Sequence, residues 1–221
     1  SPIGVFALLL PVVAENGPSV LLPLLKLVLV VYAGYLIHML VVFSITTKTM
    51  ARMSPLLFLK EMLPAMTMAF SSSSSVGALP LNIECSQKLG AKKEIASFVL
   101  PLGATINMNG TSIYQGVCAI FVANVFGVPL SLTQQLMIVM TATLASVGTA
   151  GVPGSGVIML SMVLQSAGLP LEGIALVAGI DRILDMGRTT LNITGDANCA
   201  VCLSAMERRK EARLAAKNIS Q

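Results

Sequence analysis

Hydrophobic and polar positions along the chain divide it into five apolar stretches, only one of which is uninterrupted. Residues 24–45, LLKLVLVVYAGYLIHMLVVFSI, supply the roughly 20 apolar residues that a membrane-crossing helix requires. Lys26 sits near one end, where its stem can extend toward headgroups. The next stretch, EMLPAMTMAFSSSSSVGALPLNIEC, is broken at its centre by five serines, Gly77 and Pro80, and each half is too short to span. Residues 95–126 are long enough, but TINMNGT places amides, hydroxyls and a glycine at mid-depth. Residues 132–170 are broken again at SVGTAGVPGSG, and 173–204 are helical in length and hold the protein's only aspartates.

The serine segment and the 132–170 segment share one plan: an apolar arm, a tip of small residues, a proline and a second apolar arm. Non-helical backbone at membrane depth is tolerated only where protein buries it or water reaches it, because a lipid-facing unpaired peptide group costs several kcal/mol. A water-soluble serine linker would need flanks that span independently, which these do not. Both tips are therefore expected to be the ends of re-entrant helical hairpins, and the plan amounts to an internal repeat.

Composition agrees. Hydrophobic residues make up 55% and charged residues 11%, against about a quarter charged in a soluble domain. The chain opens on SPIGVFALLLPVVAENG, which resembles the second half of a spanning helix rather than a signal peptide, so the sequence is expected to be part of a longer protein. A net charge of +4 invites a nucleic-acid reading. The basic residues are scattered with almost no aromatic neighbours, which argues against it. Cys85, Cys118, Cys199 and Cys202 show no disulfide framework, and CAVC at 199–202 lacks a second ligand pair; helix-packing cysteines are expected. His38, the only histidine, is expected to pack rather than ligate.

Charge placement orients the chain. Lys48, Arg52 and Lys60, then Lys88, Lys92 and Lys93, and finally Arg208, Arg209, Lys210, Arg213 and Lys217 are separated by connections without Lys or Arg. The basic loops and the C-terminus should face the cytoplasm. The serine hairpin then enters from the cytoplasm and the 132–170 hairpin from outside, an inverted pair.

In DRILDMGRTTLNITGD, residues 181–196, helical period places Asp181, Asp185, Arg188, Asn192 and Asp196 within an arc of about 80°, with Thr189 beside it. A charge near the bilayer centre costs at least ~2.5 kcal/mol, so this stripe must face protein, water, ions or a ligand, and a small-solute pocket is expected before it. A network serving only to hold helices together is the bland alternative, weakened by the stripe's excess negative charge. Arg188 presents a fork suited to a carboxylate. Asp185 is placed to receive an ammonium, and a hairpin tip with free N–H groups suits a second carboxylate. Asp196 and the freed carbonyls of TINMNGT are hard oxygen ligands for a small cation. These residues suggest an acidic amino acid bound together with cations.

SSSSSVGALP, GATINMNGTSIYQG, ASVGTAGVPGSG and DRILDMGRTTLNITGD, in this order, resemble the dicarboxylate/amino acid:cation symporter family over residues 2–206. The resemblance implies an all-α membrane fold whose transport domain, with two opposed re-entrant hairpins, moves as an elevator against a trimeric scaffold, with the outer hairpin as gate and the site near the midplane. Residues 1–17 would end a scaffold helix. The transport domain would run over 20–206: a helix at 20–47, the first hairpin at 57–86, a broken helix at 94–126, the second hairpin at 130–168 and a helix at 172–206. A basic cytoplasmic tail would follow at 207–221.

By the same resemblance, Arg188 would hold the side-chain carboxylate of the substrate, Asp185 its amino group, and Thr111 and Thr189 would support them. Asn192, Ser74 and Ser75 would take the main-chain carboxylate, with Gly151 and Val152 closing over it. One sodium would lie on Asp196 with the carbonyls of Gly103, Asn107 and Asn192. A second would lie near Thr105, Met108, Ser146, Val147 and Thr149. Position 109, an aspartate in the usual motif and part of a further cation site, is Asn109 here, which leaves ion stoichiometry open. Gln115 replaces an acid that animal glutamate transporters link to proton coupling. The serine tip lacks an arginine found there in archaeal relatives, which is expected to leave the surroundings of Asp181 and Asp185 more negative.

The resulting expectation is symport of aspartate or glutamate with Na+, or with H+, in the plasma membrane, by a homotrimer with no enzymatic activity, no cofactor and no nucleic-acid partner. C4-dicarboxylate and neutral-amino-acid carriers of the same family are the alternatives. The former does not need Asp185 and the latter would not be expected to keep Arg188. An intramembrane aspartyl protease needs two acids on facing helices, whereas these lie on one helix with Arg188 among them; a nontransporting channel or sensor remains a further class.

Overall fold

A computed structural model of the chain describes residues 17–219 together with Leu10 and Ala14. The scaffold-helix expectation for 1–17 therefore falls almost wholly outside the described residues. Among these the protein is helical throughout, with no strand.

A short 3-10 turn at Pro18–Val20 leads into α1, Leu21–Ala51, the one helix among the described residues long and apolar enough to cross a membrane. It spans about 46 Å at the usual helical rise, and runs four residues past the expected end at 47. Two stretches, His38–Phe43 and Thr47–Ala51, widen to π geometry, which a uniformly apolar sequence does not announce. The helix stops at Arg52, whose φ of 56° turns the chain, while the Met53 N–H bonds back to the Thr47 carbonyl at 3.2 Å. Such a left-handed stop satisfies carbonyls that the helix end would otherwise leave unpaired.

Helices α2 (Pro55–Ser72) and α3 (Ser75–Lys88) pack side by side and are joined by Ser73 and Ser74. The serine run is two caps set back to back. Ser73 takes φ 53° and its N–H bonds to the Ala69 carbonyl at 2.8 Å, closing α2. Ser74 opens α3, its Oγ accepting from the Gly77 N–H at 3.0 Å, the usual role of an N-terminal serine. The Ser74 N–H in turn reaches Ser72 Oγ at 3.3 Å. Polar side chains thus satisfy a tight turn between two packed helices, and a flexible linker is excluded.

Helices α4 (Lys93–Ile106) and α5 (Asn109–Val125) are separated by only Asn107 and Met108. Helices α6 (Leu132–Val147) and α7 (Ser155–Ser166) form the second packed pair, joined by the loop 148–154. The start of α6 is held by a capping box: Ser131 Oγ accepts from the Gln134 N–H at 3.3 Å, and the Ser131 N–H bonds to Gln134 Oε1 at 3.0 Å. Ser131→Ala should therefore lower stability by about 1 kcal/mol, read as a fall in the unfolding temperature of the purified protein; an unshifted transition would show that this cap is immaterial.

The final segment differs from expectation at both ends. A break at Gly179 and Ile180 separates α8 (Gly173–Ala178) from α9, and α9 continues from Asp181 to Ile219. The predicted tail from 207 is the end of this helix, because MERRKEARLAAK is rich in strong helix formers.

α9 is the axis of the molecule. On one side Leu184 and Leu191 join Tyr114, Ile138, Leu160, Leu164 and Val31 in a core shared by α1, α5, α6 and α7. Along its next turns Ile193, Ala197, Ala200 and Val201 join Phe58, Met62 and Leu100 in a second core shared by α2, α3 and α4. Outward faces of α1 and α6 remain apolar and exposed, including Leu29, Ile37, Val139 and Leu144. A surface of that kind is covered by lipid or by another protein segment.

Candidate binding site at the meeting of three helix breaks

Three breaks converge on α9. The Ser73–Ser74 turn meets the 148–154 loop directly: Ser74 Oγ donates to the Gly151 carbonyl at 3.1 Å, and the Val76 N–H reaches the same oxygen at 3.4 Å. The loop meets α9 where the Gly154 N–H donates to Asp185 Oδ2 at 2.9 Å. The α4–α5 break meets α9 where Asn107 Nδ2 donates to Asp196 Oδ1 at 2.7 Å and the Gly110 N–H donates to Asn192 Oδ1 at 2.8 Å.

Every member of the polar stripe is buried. Arg188, Asp185 and Asn192 are 2% exposed and Asp196 is 1% exposed. Glycines make room for them. A Cβ on Gly156 would overlap the Arg188 guanidinium, one on Gly103 would overlap the Asp196 carboxylate, and one on Gly110 would lie 2.5 Å from the Arg188 carbonyl oxygen. Gly156→Ala should accordingly displace the Arg188 side chain and weaken acidic-solute binding by more than tenfold, of the order of one lost charged hydrogen bond; calorimetric titration of the purified full-length protein with aspartate would check it, and an unchanged affinity would refute the steric argument.

A cavity sits between the three breaks, lined by Ser75, Thr111, Gly151, Val152, Asp185, Arg188, Thr189 and Asn192. These are eight of the nine expected substrate contacts. The ninth, Ser74, is not among its lining residues; its hydroxyl is spent on Gly151. Ser73, Met108, Ala150 and Ser155 line it as well and were not among the expected substrate contacts. Ser73 could have been suspected as the one serine forced into the turn. Ser155 could not, since its hydroxyl staples the loop by donating to the Ala150 carbonyl at 2.6 Å and the Val152 carbonyl at 2.9 Å.

In the arrangement described the cavity is closed. Its volume is about 10 Å³, enough for about one water. Asp185 is not left open for an ammonium either. Its Oδ1 accepts from Arg188 Nη2 at 2.6 Å, from Arg188 Nε at 3.2 Å and from Thr189 Oγ1 at 3.2 Å. The reason is local: Asp185 and Arg188 are one helical turn apart, and two buried charges that close pair with each other before anything else, because an uncompensated one is so costly. Arg188 Nη1 is left without a partner, and the guanidinium lies 5.0 Å from the centre of the Tyr114 ring.

Around Asp196 the structure brings together Gly103, Asn107 and Asn192. Asn107 Nδ2 lies 2.7 Å from Asp196 Oδ1 and 3.5 Å from the Asn192 carbonyl, while Asp196 Oδ2 is buried without a hydrogen-bond partner. Met108 is turned the other way, its Sδ accepting from Asn192 Nδ2 at 3.1 Å. Asn109 reaches toward His38, Nδ2 to Nε2 at 3.5 Å, and His38 packs edge-on to Phe43 as a packing histidine should. The hydroxyls of Thr105 and Ser146 bond within their own helices to the Leu102 and Thr143 carbonyls, that of Thr149, in the loop, bonds back to the Ala145 carbonyl of α6, and Val147 is exposed. Among the described residues no three His, Cys, Asp or Glu side chains gather as a metal site.

Arg182 Nη2 donates to the Ser71 carbonyl at 3.1 Å, so α9 itself brings a cation to the C-terminal end of α2, where one is favoured. Behind the site Gln115 is fully buried, and neither amide atom has a partner among the described atoms.

A family model described as the sodium:dicarboxylate symporter family matches residues 1–206. The proton/glutamate-aspartate symporter of Escherichia coli is 41% identical over 95% of this chain and 48% of its own length. The proton/sodium-glutamate symport protein of Bacillus subtilis is 41% identical over 94% of the chain and 48% of its own length. An excitatory amino acid transporter of Caenorhabditis elegans is 37% identical over 89% of the chain and 40% of its own length. The chain spans about half the length of the curated relatives it matches.

Proposed function

Since the chain belongs to the sodium:dicarboxylate symporter family, a family of transporters rather than enzymes, we propose that the full protein carries aspartate or glutamate across the cell membrane together with cations. The observation that carries this reading is the buried Arg188 guanidinium, with Nη1 unpartnered at the meeting of three helix breaks.

Loading requires the 148–154 loop to move outward. With room for about one water, the cavity must open, and opening breaks the Ser74–Gly151 and Gly154–Asp185 hydrogen bonds. A substrate ammonium then takes the place of the Gly154 N–H on Asp185, and the side-chain carboxylate takes the free donors of Arg188. Thr111 and Thr189 flank it. The main-chain carboxylate falls to Asn192, Ser75 and the serine turn, with Gly151 and Val152 reclosing above.

Asp196 is the cation residue in this reading. Its unpartnered Oδ2 would be expensive to keep charged and dry, and a small cation on Asp196 with the carbonyls of Gly103, Asn107 and Asn192 removes that cost with hard oxygen ligands. A second cation belongs near Thr105, Met108, Ser146, Val147 and Thr149. At the further cation site to which position 109 belongs in the family motif, Asn109 contributes no charge, so coupling there is weaker than an aspartate would give. The α2–α3 and α6–α7 pairs act as re-entrant hairpins from opposite sides, the basic loops facing the cytoplasm. Residues 20–206 move as one transport domain against a trimeric scaffold.

Radiolabelled aspartate uptake by the full-length protein in liposomes, under separately imposed sodium and proton gradients, tests the proposal. Accumulation is expected under an inward sodium gradient, a proton gradient, or both. No accumulation under either would end it.

A further inference from the structure

At the end of the molecule opposite the closed loop, α9 carries two sets of charges on different faces. Glu207 and Glu211 turn toward the α3–α4 connection, where Lys92 Nζ lies 3.0 Å and 2.6 Å from their carboxylates. Glu211 and Glu207 hold the Lys92 ammonium above its ordinary range. With both acids engaged there, the neighbouring face holds Ala205, Arg208, Arg209 and Ala212 within about 100° of arc.

That face forms a cleft of about 330 Å³ with the end of α1, lined by Ala51, Arg52, Ala205, Arg208, Arg209 and Ala212. Its lining is three arginines and three alanines, with no acid among them. Two of the arginines are held in place: Arg208 Nη1 donates to the Gly90 carbonyl and Arg209 Nη2 to the Met50 carbonyl. Each keeps further guanidinium donors. The third, Arg52, is exposed and has φ 56°, a conformation uncommon for a residue with a side chain.

Arg52 also lines a second cleft. Besides Arg52 it is lined by Leu40, Val41, Ser44, Ile45 and Lys48 of α1 and by Met53, Ser54 and Pro55. Arg52 thus lines both a basic, donor-rich cleft and one bordered by the exposed apolar residues Leu40, Val41 and Ile45 of α1. Guanidinium groups bind phosphate oxygens in paired fashion, and basic pockets at the membrane surface recognise acidic headgroups.

We infer that the Arg52–Arg208–Arg209 cleft binds the headgroup of an anionic phospholipid, with an acyl chain lying along the Leu40–Ile45 face of α1. The inference rests on the membrane reading above. Its test is independent of uptake and of sidedness, so either can fail while the other stands.

Purified full-length protein in mixed micelles of phosphatidylcholine and phosphatidylglycerol is re-isolated and its retained lipid quantified by mass spectrometry. Phosphatidylglycerol should be enriched, and Arg52→Gln with Arg209→Gln should cut the enrichment about tenfold or more. Lys210→Gln with Arg213→Gln, outside the cleft, should leave it unchanged. Equal enrichment in wild type and cleft variant overturns the inference. So does displacement of the lipid by excess glycerol 3-phosphate, which would assign the cleft to a soluble phosphate ester. If loss of the Arg209–Met50 bond prevents folding, judged by size exclusion and thermal unfolding, Arg52→Gln alone decides: about a threefold loss is expected, and no loss rejects the site.

Discussion

Arg188→Ala in the full-length protein should abolish measurable binding and uptake of aspartate and glutamate. Truncating one member of a buried, hydrogen-bonded charge pair costs about 2–5 kcal/mol, which is about 30-fold to several thousand-fold in affinity. The upper part of that range applies, because Arg188 is 2% exposed and no other guanidinium lines the cavity. The same change removes the partner of Asp185, which retains the Thr189 hydroxyl and the Gly154 N–H. The variant's fold is therefore checked first by thermal unfolding. Neutral amino acids become permissible ligands once the guanidinium is gone, so their binding should be gained or unaffected while acidic binding is lost. Unaltered aspartate affinity in a folded variant would falsify the carboxylate role.

Asp196→Asn should weaken the cation dependence of substrate binding by about tenfold or more, since affinity of an oxygen site for a hard cation follows its charge. The substitution keeps the shape and lets the Asn107 contact persist through the remaining carbonyl. It removes only the charge that Oδ2 presents without a partner. The measurement is a sodium titration of aspartate binding in proteoliposomes. A midpoint identical to wild type would show that the cation binds elsewhere.

The polar stripe on α9 was legible in the sequence because charge near a bilayer centre is so costly that its placement can be argued from period alone. The serine turn was legible for a related reason: unpaired backbone in an apolar setting must be satisfied, and only small polar side chains can do it in so tight a bend. The family follows from four ordered motifs. What the sequence hid was competition between partners. Helical spacing puts Asp185 and Arg188 on one face but cannot say whether they turn to each other or to a ligand; the structure turns them to each other. It also hid Arg182, whose guanidinium reaches the Ser71 carbonyl. The π turns of α1 escaped notice because LVVF and its neighbours carry no residue that demands them. The extension of α9 to Ile219 is not announced because a basic, polar segment reads equally as a solvated tail and as an exposed helix.

Asp181 and Ile219 belong to one unbroken helix of 39 residues, about 58 Å long. A stiff rod of that length transmits axial displacement from one end to the other. If the substrate cradle shifts in depth during turnover, its distal tip shifts with it, along with the segments that Arg208, Arg209 and Lys92 tie to it. A spectroscopic probe placed near position 216 would therefore gauge the cradle's height from a distance, with no label anywhere near the binding chemistry.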